Sequence, residues 1–297
     1  MDWQSQLISL YLFICKEYQH KLRKNMARIS NYSNLTFSDE EVMTIYIFGI
    51  MSKRHTVKEI YEYTDRHLRD WFKALPSYVA FVQRLNKVSH LFSGLMTALY
   101  HQLPKDYNQS YPLLLDSMPI ILAHRGRRFN AKIAPEIATN NGYCATKKLH
   151  YYGIKLHAAG SYKKGYLPIP QYFGITDAGT ADIRFYEELS KQLPENSRVF
   201  ADKAYQTGNQ PVADQGGITL YTPVKKAKGQ ELLDAADRLL SSAISSVRQP
   251  IESLFNWIEE KTNIQIASKV RSYNGLMVHV FGKISVALFM MQTRFCS

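Results

Sequence analysis

The chain has 297 residues, 45% of them hydrophobic and 21% charged. That is enough apolar matter for one large domain or two modest ones, and it excludes a disordered or collagen-like chain. Thirty-seven Lys and Arg against 25 Asp and Glu leave a formal charge of +12 and a pI near 9.4, which favours polyanionic partners, nucleic acid ahead of an acidic membrane surface.

Cys15, Cys144 and Cys296 are far apart and form no CxxC pair, which argues against a disulfide framework or structural zinc and fits a reducing cytosol. Leu7 to Cys15 is a short apolar run closed by Lys16 and Glu17, read as a buried helix rather than a signal peptide. Ser38-Asp39-Glu40-Glu41 is a capping box ahead of the apolar run Val42 to Met51. Val57, Ile60, Tyr61 and Tyr63, then Leu68, Trp71 and Phe72, recur at roughly helical spacing. Ser77 to Phe92 continues the pattern after a turn at Pro76. Residues 1–108 are therefore expected to be all helical, closed by a linker at Pro104 and Lys105 to Ser110.

From Tyr111 the texture changes. Tyr111 to Asp116, Gly153 to Gly160 and Leu167 to Thr176 read as strands. Thr180 to Leu193 reads as an amphipathic helix with Thr180 as candidate N-cap. Arg198 to Asp202 and Ile218 to Val224 are further strands. Two helices follow, about Leu232 to Thr262 with a break, and about Tyr273 to Thr293. The order implies an α/β fold with a mixed sheet over 109–297. Neither Val42 to Met51, which is too short, nor Leu276 to Met291, which carries His279 and Lys283, is expected to span a membrane.

Between His124 and Lys164 nine basic residues face one acid, Glu136, with tyrosines interleaved. Among them Arg125, Arg127, Arg128, Lys147, Lys148 and Lys155 are candidate phosphate contacts, the alternative being a solvated, loop-rich surface. Lys225 and Lys226 follow a strand and admit the same two readings. In the helical part, Tyr78 to Val88 is a candidate major-groove helix with Gln83, Arg84 and Lys87 outward; a dimerisation bundle is the alternative. His157 in a strand and His279 on an apolar helix read as packed residues rather than ligands, and Lys283 as a solubilising residue.

Asp116 and Asp202 each end a short apolar run. At the carboxyl ends of strands in an open sheet such acids face the site crevice, where they can hold a hard divalent cation, although a turn or cap role is open to either alone. Glu252 lies on a stretch with a clear apolar stripe, four residues after Arg248, with Glu259 and Glu260 as competing candidates for a third acid.

The order Asp116, Asp202-Lys-Ala-Tyr205 and Arg248-Gln-Pro-Ile-Glu252 resembles the DDE transposases of bacterial insertion sequences, most nearly the nine-eight-two family. Asn141 to Lys147, Tyr152 to His157, His279 to Lys283 and Phe81 to Asn86 extend the likeness over nearly the whole chain. Ser245 and Glu259 depart from a branch that often has Tyr and Lys at those places. That leaves the acids intact and leaves open which residues, Lys261 included, hold terminal DNA.

The resemblance implies an RNase H-like mixed five-stranded sheet with flanking helices, carrying Asp116, Asp202 and Glu252 as ligands of two Mg²⁺, with Mn²⁺ as substitute. No organic cofactor is implied. It implies hydrolysis at transposon ends and strand transfer, double-stranded DNA as partner (terminal inverted repeats and target), a homodimer on DNA, and a bacterial, nucleoid-associated cytoplasmic setting without a membrane. Arg248 would contact phosphate or hold Glu252, and Tyr205 would brace Asp202, stack near DNA or pack in the core. A regulatory DNA-binding protein without chemistry, and a nuclease without strand transfer, are the competing readings.

Overall fold

The computed structural model describes residues 2–22, 36–104, 111–206 and 211–295; the expected linker Lys105 to Ser110 and Cys296 lie outside them. The chain packs as two compact units, Met1–Leu103 with Ile258–Ser297, and Pro104–Trp257. The expected boundary at 108/109 lies near one junction, but the C-terminal helices, grouped above with the α/β part, pack with the N-terminal helices. They are buried on nearly every side from Leu276 to Phe289.

In the first unit α1 (Trp3–His20), α2 (Asp39–Met51), α3 (Val57–His67), α4 (Tyr78–Lys87) and α5 (Ser89–Gln102) follow one another. Ser38 Oγ accepts the Glu41 amide while the Glu41 carboxylate accepts the Ser38 amide, as the capping box predicts. Thr56 and Glu59 repeat the device at α3. α2 is buried continuously from Val42 to Ile50 and forms the centre of the unit. Asp39, at its start, accepts hydrogen bonds from Tyr18 Oη at 2.8 Å and Arg84 Nε at 2.8 Å. α9 (Tyr273–Met277), a π-helical turn (Val278–Gly282) and α10 (Lys283–Phe295) close the unit, with α10 against α2 and α5. The run Tyr273–Gln292 is long and apolar enough to cross a membrane by length and composition, and 78% of its most apolar stretch is buried inside the protein. His279 is buried, as expected, with Nε2 2.7 Å from Ile264 O. Lys283 does not solubilise its helix: it is buried, and its ammonium donates to Asn263 O at 2.9 Å.

The second unit holds β1 (Leu113–His124), β2 (Asn141–Cys144), β3 (Leu149–Ser161), β4 (Ile169–Asp177), β5 (Arg198–Ala201), β6 (Val212–Gln215) and β7 (Ile218–Tyr221) in one mixed sheet. The order is β2-β3-β1-β5-β7-β6. β4 lies off that path because β2 and β4 share one edge of β3, β2 pairing with residues 149–152 and β4 with residues 154–161. β1 runs antiparallel to β3 and parallel to β5, and β5 parallel to β7. The sheet has seven strands among the described residues where five were expected. The additions, β2 and β6, are four-residue hairpin partners without the alternation that marks a strand. β1 is buried along nearly its whole length, as a central strand covered on both faces must be.

α6 (Asp182–Ser190) returns the chain from β4 to β5 and buries Tyr186 and Leu189 against Leu115, Val199 and Leu220. It starts later than expected: Ala181, not Thr180, holds the cap position, and no side chain caps it. α7 (Ala235–Arg248) and α8 (Pro250–Thr262) break at Gln249, where Pro250 opens the second helix without needing an amide donor.

Candidate active site

The register of the two central parallel strands sets the site. Leu115 of β1 pairs with Ala201 of β5, so the next residue on each, Asp116 and Asp202, emerges at the same level, at the carboxyl end of β5. Asp202 then opens a 3-10 turn, Lys203–Tyr205, closed by the Tyr205 amide donating to Asp202 O at 3.0 Å.

Helix geometry supplies the rest. Arg248 ends α7 and Glu252 lies in the first turn of α8, four residues on, where a negative charge complements the helix dipole. One terminal nitrogen of Arg248 donates to Asp116 Oδ2 and the other to Glu252 Oε1, each at 2.7 Å. The guanidinium thus bridges the β1 acid to the helix acid. Its Nε is buried with no hydrogen-bond partner among the described residues.

The electrostatics are uneven. Burial pushes the Asp116 carboxyl up to about 6; Arg248 and the Ser117 amide pull it down, and the charges of Asp202 and Glu252 push it up again. Burial works against the Arg248 charge, but Asp116, Asp202 and Glu252 outweigh it and hold the guanidinium above its ordinary value. All three acids therefore act on one point.

Tyr205 ends the turn that follows Asp202. It is fully buried, bonds the Ser117 side chain next to Asp116, and lies 2.9 Å through its hydroxyl from His157 Nδ1. His157 Nε2 reaches Thr176 Oγ1 at 2.8 Å, and the ring stacks on Phe185 at 4.3 Å. Burial and the Lys155 charge push His157 down to about 3, so it is a neutral, packed residue, as expected. Sequence pattern does not reveal the Ser117–Tyr205–His157–Thr176 chain, because its members lie on four separate segments.

Three carboxylates are hard oxygen donors of the kind that suit Mg²⁺ or Mn²⁺. Among the described residues, however, no three His, Cys, Asp or Glu are drawn together closely enough to hold a metal ion. Arg248 is the cation that stands between Asp116 and Glu252. The donor chemistry fits a divalent ion; the present spacing is the one set by Arg248.

The expected DNA contacts divide into exposed and internally engaged residues. Arg125, Arg127, Lys147, Lys148, Lys225 and Lys87 are exposed. Arg128 lies over the Phe129 ring at 4.2 Å. Lys155 is turned inward, its ammonium 2.7 Å from both Asp182 Oδ1 and Thr180 O. Lys226 donates to Glu231 O at 2.6 Å. Arg84 does not point outward as expected but pairs with buried Asp39, leaving Gln83 and Lys87 on the exposed face of α4.

The site thus sets an acid within β1 level with an acid just past the carboxyl end of β5, and an arginine ties the first to a helix glutamate. The family described as "Transposase DDE domain" matches residues 109–289, more than half of the chain, and the chain belongs to that family. Its members carry out transposition and generally use divalent metal ions. No curated protein and no solved structure matches the chain.

Proposed function

We propose that this chain is the transposase of a bacterial insertion sequence, with Asp116, Asp202 and Glu252 as its catalytic acids. The observation that carries the reading is the pairing of Arg248 with Asp116 and Glu252, with Asp202 level with Asp116 on the neighbouring strand and its charge acting on the same guanidinium, within the matched family region. The strands β4-β3-β1-β5-β7 then form an RNase H-like core, with β2 and β6 as additions; the parallel pairing of β1, β5 and β7 supports this.

Asp116, Asp202 and Glu252 would hold two Mg²⁺ ions, with Mn²⁺ as substitute. Bound there, the ions supply Lewis acidity for in-line displacement at a DNA phosphodiester, with water or a DNA 3′-OH as nucleophile. Tyr205 fixes the turn that carries Asp202. Arg248 holds Glu252 towards Asp116 and, once those acids have another cation to face, offers a guanidinium fork to phosphate. Arg125, Arg127, Arg128, Lys147, Lys148 and Lys225 contact the DNA backbone, and the exposed face of α4 with Gln83 and Lys87 reads the terminal repeats. Joining two ends requires two copies of the chain on DNA.

A second reading, a DNA-binding regulator without chemistry, draws on the salt bridges that already engage Asp116 and Glu252. Cleavage of DNA carrying the gene's own flanks, with Mg²⁺ or Mn²⁺, separates the two. Wild type should cut at the element ends, and Asp116→Asn, Asp202→Asn and Glu252→Gln should each lose at least about 10³-fold in rate while still binding DNA. Binding without cutting by wild type would favour the regulator. Cutting without end preference or strand transfer would favour a nuclease.

A further inference from the structure

We propose that the two turns at the outer end of the β1–β3 ladder form a second DNA grip, holding the duplex about seven base pairs from the phosphate at Asp116. This rests on the transposase reading above and adds a distance to it. β1 continues from Asp116 to His124, paired with β3 on both sides of a bulge at Leu122, and the ladder runs from Ala158 to Tyr151 on β3, seven residues (158 − 151 = 7). At about 3.3 Å per residue that ladder carries the chain about 23 Å from the acids. Duplex DNA advances about 3.4 Å per base pair, so the span corresponds to about seven pairs.

Two turns lie at this outer end. One is the 3-10 turn Arg125–Phe129, which leaves β1 directly after His124. The other joins β2 to β3 through residues 145–148, just beyond Tyr151. Both present exposed cations: Arg125 and Arg127 on the first, Lys148 on the second. Arg125 (φ 55°) and Lys148 (φ 46°) occupy the left-handed region, where glycine would sit without steric cost, and each turn has a long cationic side chain there instead. Phe129, 68% exposed, lies under the Arg128 guanidinium, and Tyr143, 54% exposed, packs against His150 at 4.7 Å. These rings flank the cations as contacts for sugar or base faces.

The neighbouring acids leave the cations available. Asp177 accepts the amides of Thr139, Asn140 and Gly179, and Glu136 is the other acid of this region. Lys155, further down β3 towards the acids, is paired with Asp182. Cations in mid-strand are thus neutralised internally, while those at the outer end face solvent.

The test is binding by the full-length protein, without divalent ions, to duplexes that start at the cleavage position and extend 5 to 15 base pairs, on the element side in one series and the flank side in another. Affinity should step up about tenfold between six and ten base pairs in one of the two series. Arg125→Ala with Arg127→Ala, and separately Lys148→Ala, should remove the step. The double variant should also lower the salt slope by about two. In wild type, phosphate ethylation should interfere about six to eight pairs from the cut. A smooth rise with length in both series, a step that survives in the variants, or interference elsewhere overturns the grip and leaves the transposase reading standing. Absence of binding at every length overturns both.

Discussion

Replacing Lys283 with Met should change stability in a direction that reverses with pH. Lys283 is 1% exposed at the start of α10, and its ammonium donates to Asn263 O. Burial drives its pKa from 10.5 down to about 7, against the opposing pull of Glu259 and Glu59. His55 and His279 also face it; burial and the Lys283 charge push His279 to about 3, so it adds no charge of its own. Between pH 7 and 10.5 the unfolded chain holds a proton on Lys283 that the folded chain has released, so wild-type stability rises with pH across that window. Below pH 7 both forms are charged and the whole cost is present. The displacement from 10.5 to about 7 corresponds to about 5 kcal/mol as an upper value. Methionine has similar length and no charge but leaves the Asn263 carbonyl without its donor, costing about 1–2 kcal/mol. Lys283→Met should therefore be about 1–3 kcal/mol more stable than wild type at pH 6 and less stable near pH 10. Urea denaturation at intervals from pH 6 to 10, reading midpoint and slope, measures the difference. A variant less stable at pH 6, or a gap that does not change with pH, would refute the reasoning.

Other expectations concern packing and the site. Arg84→Ala strips the fully buried Asp39 side chain of its guanidinium and should cost about 3–5 kcal/mol in a thermal melt; a loss under 1 kcal/mol would make Arg84 available for DNA after all. Gly49→Ala would place a methyl 2.6 Å from Ile60 Cγ2 between α2 and α3, so the melting temperature should fall by the equivalent of about 1–3 kcal/mol, and an unchanged melt would contradict that contact. Arg248 holds the Asp116 carboxyl down, so in Arg248→Gln the acidic limb of the cleavage-rate profile should move to higher pH; a limb that stays in place would show that Asp116 titration does not control the rate.

Features set by local rules were legible in the sequence. The Ser38 capping box and the acid that follows the β5 run depend on residues a few positions apart, whereas the strand expected to end at Asp116 runs on to His124, and the stretch Ile244 to Thr262, expected as one helix, breaks at Gln249. Long-range pairing was not legible. Arg84 sits at the right spacing for an outward face, but its partner Asp39 is 45 residues away, and Lys155 and Asp182 are 27 apart. Lys283 was misread for a related reason: as a lysine on a helix apolar on every side it had no solvent face to take, and only packing shows that it turns to the carbonyl ending α8. The union of both chain ends in one unit is likewise a matter of which apolar helices meet, and helical period does not encode that.

Comparison of the two Arg–Asp pairs shows why Asp116 is read as functional and Asp39 as structural. In the helical unit one arginine and a tyrosine hydroxyl converge on one fully buried carboxylate, each within 2.8 Å. That is the arrangement expected of an ion pair that only has to be folded around. At Asp116 one guanidinium faces three carboxylates, so with all ionised the cluster keeps a net charge of −2 (1 − 3 = −2). Burial first, and the charges of Asp202 and Glu252 after it, push the Asp116 carboxyl up to about 6 despite its salt bridge. Folding alone gives no reason to gather three acids around one arginine, since a second cation or one acid fewer would be more stable. In a chain whose net charge is +12, this surplus of negative charge beside the carboxyl end of β5 is what the proposed divalent ions would offset. On that proposal a phosphodiester could not approach the cluster unaided, whereas one whose negative charge is offset by divalent ions could, and the basic turns outside would hold the rest of the duplex.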